Sequence, residues 1–462
     1  MYIGDCKKST CSEKKEQILS ILIFVFLSVV FAGLFLMGDY GGGGDSASYL
    51  MMGITREPLY PIFLWMLRHI IGTDEIYILL AFLQNLFACV VIICLIKYLR
   101  KKVFRNSVAQ LISSGILAMP YLMTPFFSRT HLVMTNKVMA EGLVLPGYYL
   151  FVLFLLKIIY EDEKLVRNMV YAGLISGLLI LARGQMMLTI VILVIVVSIK
   201  LILQKKYKRI YQPVFVAVIV FVATSLITNI YHYCINGVFT GTASSKPMIL
   251  ANVLYVSEEE DGKTIKDTDL REVFERVYQA LDEEQMLYKY ASGGVIDKAL
   301  HHESCHDDIS FYYFEPVKND VYEDRMSEDY EEYMIFQDEV AAELTRELIV
   351  NNWPRYLSNY VNMCVLGFVR SIAVEHPILN LYALAVYILG VFAIVITWAK
   401  KGFTKEVFFF SMVYVMILGF ATATSLFLQC ITRYMIYNFP FFYIAGLALL
   451  CSWLADKKKD AE

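Results

Sequence analysis

Apolar residues fall along this chain in long uninterrupted runs and seldom alternate with polar ones. Ten runs stand out, near 18–37, 76–96, 108–127, 138–159, 169–182, 186–203, 213–233, 377–399, 407–428 and 435–454. A hydrocarbon layer about 30 Å thick takes about 20 helical residues to cross, and a helix satisfies its own backbone hydrogen bonds there. The pattern therefore predicts an α-helical polytopic membrane protein with about ten transmembrane helices. The fifth run is the shortest. The first is too long for the apolar part of a signal peptide and predicts a retained span. Two weaker stretches, 58–72 and 357–374, mix apolar residues with Arg, His or Asn at near-helical spacing and predict helices lying on the membrane surface.

Basic residues then orient the bundle, because short loops rich in Lys and Arg stay on the cytoplasmic side. With both termini inside, ten spans put 22 basic residues on the inner face, including Lys7, Lys8, Lys14, Lys15, the 97–105 segment, the 200–209 segment and the 456–459 tail. The short outer segments carry six: Arg56, Arg68, Arg129, Lys137, Arg183 and Arg433. Counting either surface stretch as a span would invert every later loop and destroy this asymmetry. The expected organisation is a membrane module over 1–235 with a first external loop at 38–75, an external domain over 236–356, and a surface helix plus the last spans over 357–462.

Composition agrees with that reading and divides the charge. Of 462 residues 58% are apolar and 18% charged, with a mean hydropathy of +0.54, well above a soluble domain's apolar share. The formal net charge is −3, yet residues 236–356 alone carry 27 acidic against 11 basic side chains, so the membrane part is positive. Stretches in the acidic region such as DLREVFERVYQALDEEQM and FQDEVAAELTRELIV place apolar residues at i, i+3 and i+4, which predicts amphipathic helices resting on the bundle. An acidic domain repels a phosphate backbone, so nucleic acid is not an expected partner. The nine cysteines are scattered and define neither a disulfide framework nor a zinc site. No solenoid-length repeat, HExxH, Walker loop or convincing dinucleotide fingerprint is present.

Candidate chemistry gathers in the outer segments. The first loop reads MGDYGGGGDSASYL over 37–50 and REPLYP over 56–61. Its glycines permit a tight turn and a close approach of backbone to substrate, and Asp39 and Asp45 flank that turn. A carboxylate in hydrogen-bond reach can deprotonate an acceptor hydroxyl, although Gly and Asp are also what an ordinary turn uses. Arg183 and Arg433 sit between spans. Charge there faces a cavity or a partner, or else a long side chain snorkels to the interface. Tyr434 fits an interfacial aromatic belt. Glu141 either orients a basic residue or the acceptor, or favours a helix N-terminus. Arg56 and His131 share the outer face and are placed either to line a site or to remain exposed loop residues. In HHESCHDD, residues 301–308, three His, one Cys and three carboxylates crowd together. Those are zinc ligand types, but their spacing matches no zinc pattern and reads first as a solvated polar face. A divalent metal is left open.

These separated segments resemble the GT-C superfamily of membrane glycosyltransferases, in particular its protein O-mannosyltransferase and aminoarabinose-transferase branch, glycosyltransferase family 39. GDSASYL followed by EPLYPIFLWML resembles that branch's Asp-containing first external loop and the amphipathic helix after it. VMAEGLVLPGYYLFVLFLL, GLISGLLILARGQMML, AAELTRELIVNNWPRYLSNYV and RYMIYNFPFFYIAG resemble later family segments in the same order. The resemblance covers most of the membrane part and little of 240–340. It implies a GT-C-type bundle and an inverting transfer of a sugar from a polyprenyl-phosphate donor to an acceptor hydroxyl at the outer face. It further implies Asp45 as base with Asp39 as the alternative, and Arg433 and Arg183 as partners of the leaving phosphate. The four-glycine run departs from the family pattern and leaves the choice between the two aspartates open.

Two other classes remain open, a transporter or flippase of lipid-linked glycan and a polysaccharide ligase or polymerase. Polar residues gather at outer span ends and not within the bilayer, which speaks against a transport path. Expected partners are a polyprenyl-phosphate sugar, membrane lipid, and an acceptor that is a protein, a glycolipid or a wall polymer. Composition points to a bacterial plasma membrane.

Overall fold

The computed structural model describes residues 4–461 apart from 44, 73–75, 105, 128–130 and 375, with side chains described from 16 to 455. Arg129, Gly44 and the side chains of the basic residues in both tails lie outside the described residues. Among those described, ten helices are long and apolar enough to cross a membrane: Glu16–Leu36, Ile76–Lys102, Ser107–Phe127, Glu141–Tyr160, Leu165–Ala182, Gly184–Leu203, Tyr207–Asn236, Pro377–Lys401, Lys405–Phe427 and Thr432–Ala455. Each matches one predicted run. The chain is thus an α-helical protein built as a multi-pass membrane bundle, with no β-strand among the described residues beyond one isolated bridge between Gly41 and Lys137.

The fourth span is the hub. Its Tyr148, Tyr149, Phe151, Leu155 and Leu156 are fully buried, and the Tyr148 hydroxyl donates to Asn438 Oδ1 at 2.6 Å, tying this span to the last. Around it Tyr148 meets Phe420 and Tyr437 edge to face, a favoured aromatic geometry. The first, seventh and eighth spans lie at the perimeter, where Phe24, Phe215 and Phe392 are exposed. Exposed apolar side chains of that number are what lipid-facing helices present. The stretch read as the first surface helix is Leu59–Ile71.

The region 237–329 and a 43-residue helix, Tyr330–Ile372, stand at one end of the bundle. Asp329 caps that helix by accepting from the Glu331 and Glu332 amides, and Asp267 does the same for Thr268–Glu283. Both predicted amphipathic helices therefore form, and their apolar faces build a separate core with Leu254, Val273, Phe274, Leu281, Phe314, Leu344 and Leu348. Residues 357–372 are not a separate surface helix: they continue Tyr330–Ile372 through Pro354. Contacts on both sides of that proline hold the axis, Asn352 donating to Asp261 at 2.9 Å and Tyr356 donating to the Leu426 carbonyl at 2.7 Å. A buried pair between Arg370 and Glu303 fastens the domain to this helix.

Candidate functional site at the domain-bearing end

Local backbone chemistry sets the first loop. After the first span the chain turns through Gly38 and Gly41, at φ +72° and +130°, angles that glycine takes without steric cost. Gly41 accepts a hydrogen bond from the Val138 amide at 3.1 Å, which pins the loop to the segment ahead of the fourth span. Ser46 reinforces the join by accepting from the Gly43 amide at 2.6 Å and donating to the Val138 carbonyl at 3.1 Å. Beneath this seam Gln84 donates to the carbonyls of Thr135 and Lys137, both at 3.1 Å.

That scaffold brings distant charges together. Asp45 Oδ1 accepts from Arg56 at 2.8 Å, and Arg56 also donates to Ser48 Oγ at 2.7 Å while lying 4.5 Å over the Tyr49 ring. The other oxygen, Asp45 Oδ2, lies 3.9 Å from Arg433. Arg433 Nε is 3.7 Å from Glu141, and Arg183 binds the same carboxylate at 2.6 Å. Tyr434 completes the group, with its hydroxyl 3.1 Å from Arg433 and its ring 4.4 Å from the Arg183 guanidinium. Asp45, Arg56, Glu141, Arg183, Arg433 and Tyr434 thus form one continuous cluster from four separate parts of the chain.

Exposure divides the cluster by role. The Glu141 side chain is only 5% exposed, whereas Asp45 is 44% exposed and can be reached from outside. Arg433 Nε is buried without a hydrogen-bond partner. Three guanidinium groups meet at this cluster, the side-chain type best suited to pair with an anion. Burial works against the charge of Arg183, and Glu141 together with Tyr437, Tyr434 and Tyr49 more than compensates, so its pKa lies above the ordinary value.

Asp39 is not part of this group. It pairs with Lys137 at 2.5 Å and is 64% exposed. His131 turns away too, its Nδ1 lying 3.1 Å from the Pro125 carbonyl. The 301–308 segment is only in part a solvated face: Ser304 and Asp307 are exposed, but His302 and His306 are buried, His302 against Asn252 at 2.8 Å and His306 against the Met248 carbonyl at 3.1 Å. Among the described residues no group of three or more His, Cys, Asp or Glu could hold a metal ion, and both carboxylates of the cluster are already matched by arginine.

Two residues escaped the sequence reading. Glu57, beside Arg56, packs against Gly184 and accepts from Thr228 at 3.2 Å. Burial pushes its carboxyl pKa up, opposed by the nearby Thr242 and by the hydrogen bond from Thr228. Asp307 accepts from Gln429 at 3.0 Å, four residues before Arg433. Burial raises the Asp307 pKa, but the contacts with His306, Gln429 and the Arg433 charge prevail and hold it below the usual value. The sequence signal for Glu57 was its place at the head of EPLYPIFLWML beside Arg56, and for Asp307 there was none beyond an unexplained polar cluster. Compared with protein-family models, with curated proteins and with solved structures, the chain matches none of them.

Proposed function

We propose that the chain is a GT-C-type glycosyltransferase that takes a sugar from a polyprenyl-phosphate donor and joins it to an acceptor hydroxyl at the outer face of a bacterial plasma membrane. The observation that carries this reading is a reachable carboxylate, Asp45, beside Arg433, whose buried Nε makes no hydrogen bond and has only the Glu141 carboxylate at 3.7 Å. In the transfer the acceptor oxygen bonds to the anomeric carbon from the face opposite the phosphate, inverting it. The bond from that carbon to the phosphate oxygen breaks, with its electron pair leaving on the lipid phosphate. The acceptor's proton passes to Asp45 Oδ2, which accepts no hydrogen bond among the described residues.

The supporting residues divide accordingly. Arg56 holds the base in place through Oδ1 and leaves Oδ2 open. Arg433 offers donors to the charge that develops on the leaving phosphate, and Arg183 adds field to the same place. Glu141 fixes both guanidinium groups at the head of the fourth span. Incubating the purified chain with a panel of polyprenyl-phosphate sugars and measuring free lipid phosphate tests the reading. Release with at least one donor supports it, and a silent panel combined with movement of labelled glycolipid across vesicles would replace it with transport.

A further inference from the structure

The other end of the bundle carries a feature of different chemistry. The first span, Glu16–Leu36, and the second, Ile76–Lys102, pack side by side and enclose a cavity of about 240 Å³. Its apolar surface comes from Ile23, Phe24 and Ile93, and its polar rim from Ser20, Lys97 and Arg100. Ile23 forms a buried floor, while Phe24 is exposed on the bundle perimeter, so the groove opens sideways toward lipid. Arg100 is half-buried and donates to the Ser20 hydroxyl. Neither Lys97 nor Arg100 has a carboxylate partner among the described residues.

We infer that this groove binds an anionic phospholipid, its phosphate held by Arg100, Lys97 and Ser20 and one acyl chain lying along Ile23, Phe24 and Ile93. Lys97 and Arg100 are three residues apart and so lie on one helix face, within two turns of the end of the second span, the depth of lipid headgroups. A guanidinium presents paired donors that match phosphate oxygens. A cation that merely snorkels extends into water, whereas Arg100 turns inward onto the first span. Free phosphate would fill only the rim and leave the aliphatic floor empty, so the groove selects a headgroup attached to a chain. The site is separate from the Asp45 cluster: Ser20 and Leu36 are sixteen residues apart on the first span, about 24 Å along a helix. It does not rest on the proposed transfer.

The test uses the full chain, stripped of lipid in detergent and offered mixed micelles of phosphatidylcholine and phosphatidylglycerol, with retained lipid counted by native mass spectrometry. The wild type is expected to retain phosphatidylglycerol in preference to phosphatidylcholine. The Lys97→Ala, Arg100→Ala double variant should lower that affinity about 30-fold. Lys208→Ala with Arg209→Ala, exposed basic residues of the same end outside the groove, should leave it unchanged. Ile93→Trp fills the groove with both cations intact and should also displace the lipid, which keeps the test decisive if the alanine pair folds poorly. Equal retention by the wild type and both groove variants overturns the inference. So does equal retention of the two lipids, or displacement of the lipid by inorganic phosphate.

Discussion

Replacing Arg183 with Met removes the closest partner of a carboxylate that the fold has already buried. Glu141 is 5% and Arg183 16% exposed at a separation of 2.6 Å, and without Arg183 the nearest cation is Arg433 Nε at 3.7 Å. Deleting one member of a buried pair typically costs about 3–5 kcal/mol, because the survivor keeps its desolvation cost. Arg433 remains close, so the lower end applies, about 3 kcal/mol, with a contribution of about 0.5–1 kcal/mol from the lost stacking of Arg183 on Tyr434. Removing both charges in Arg183→Met with Glu141→Met eliminates the stranded carboxylate and should return the protein to within about 1 kcal/mol of wild type. The assay is denaturant unfolding in detergent micelles for the wild type, both single variants and the double variant. If Arg183→Met is no less stable than the double variant, the two charges are not energetically coupled and the cluster is not held as described.

Three further outcomes follow from other parts of the structure. Gly142→Ala would place a Cβ 2.2 Å from Gln84 Oε1, forcing out a side chain that holds the Thr135 and Lys137 carbonyls and accepts from Tyr60; a loss of about 3 kcal/mol is expected in the same unfolding assay, at about 1 kcal/mol per bond. Lys318, buried without a hydrogen-bond partner, has its pKa lowered by burial from 10.5 to about 8. Below pH 8 the folded protein therefore carries a buried ammonium, and its stability rises between pH 8 and 10.5, where only the unfolded chain keeps the proton. Lys318→Met should stabilise at pH 7 by about 2 kcal/mol, and its advantage should shrink across that interval when unfolding is followed against pH. Asp307→Ala frees Gln429 and the turn before Arg433; on the proposed transfer it should raise the donor KM about tenfold with kcat within about threefold.

The spans were legible because a bilayer demands unbroken apolar length, a one-dimensional property of the chain. Even the short fifth run was found, and its helix begins earlier, at Leu165, because Arg167 and the buried Asn168 depress the hydropathy of a turn that is nonetheless helical. The break expected near 357 failed for a local reason: proline ordinarily ends a helix, and the anchors at Asn352 and Tyr356 that carry Tyr330–Ile372 past Pro354 reach residues far away in sequence. The cluster was legible by residue type and position, since Asp45 and Arg56 lie in the first loop and Glu141, Arg183, Arg433 and Tyr434 border spans at the same end. What separated Asp39 from Asp45 was not legible. That distinction depends on Gly41 pairing with the segment at Lys137, which turns Asp39 onto the lysine and Asp45 onto the arginines. Asp307 was hidden likewise, for its partner Gln429 lies 122 residues on.

The proposed function stands on Asp45 acting as the base beside Arg433, and one comparison bears on it most directly. Release of lipid phosphate from a polyprenyl-phosphate sugar that the wild type accepts should be measured for Asp45→Asn and Asp39→Asn, each checked for wild-type unfolding. Asp45→Asn should lower kcat by at least about 100-fold with donor binding little changed, while Asp39→Asn keeps most of the rate. Normal turnover by Asp45→Asn would contradict the account.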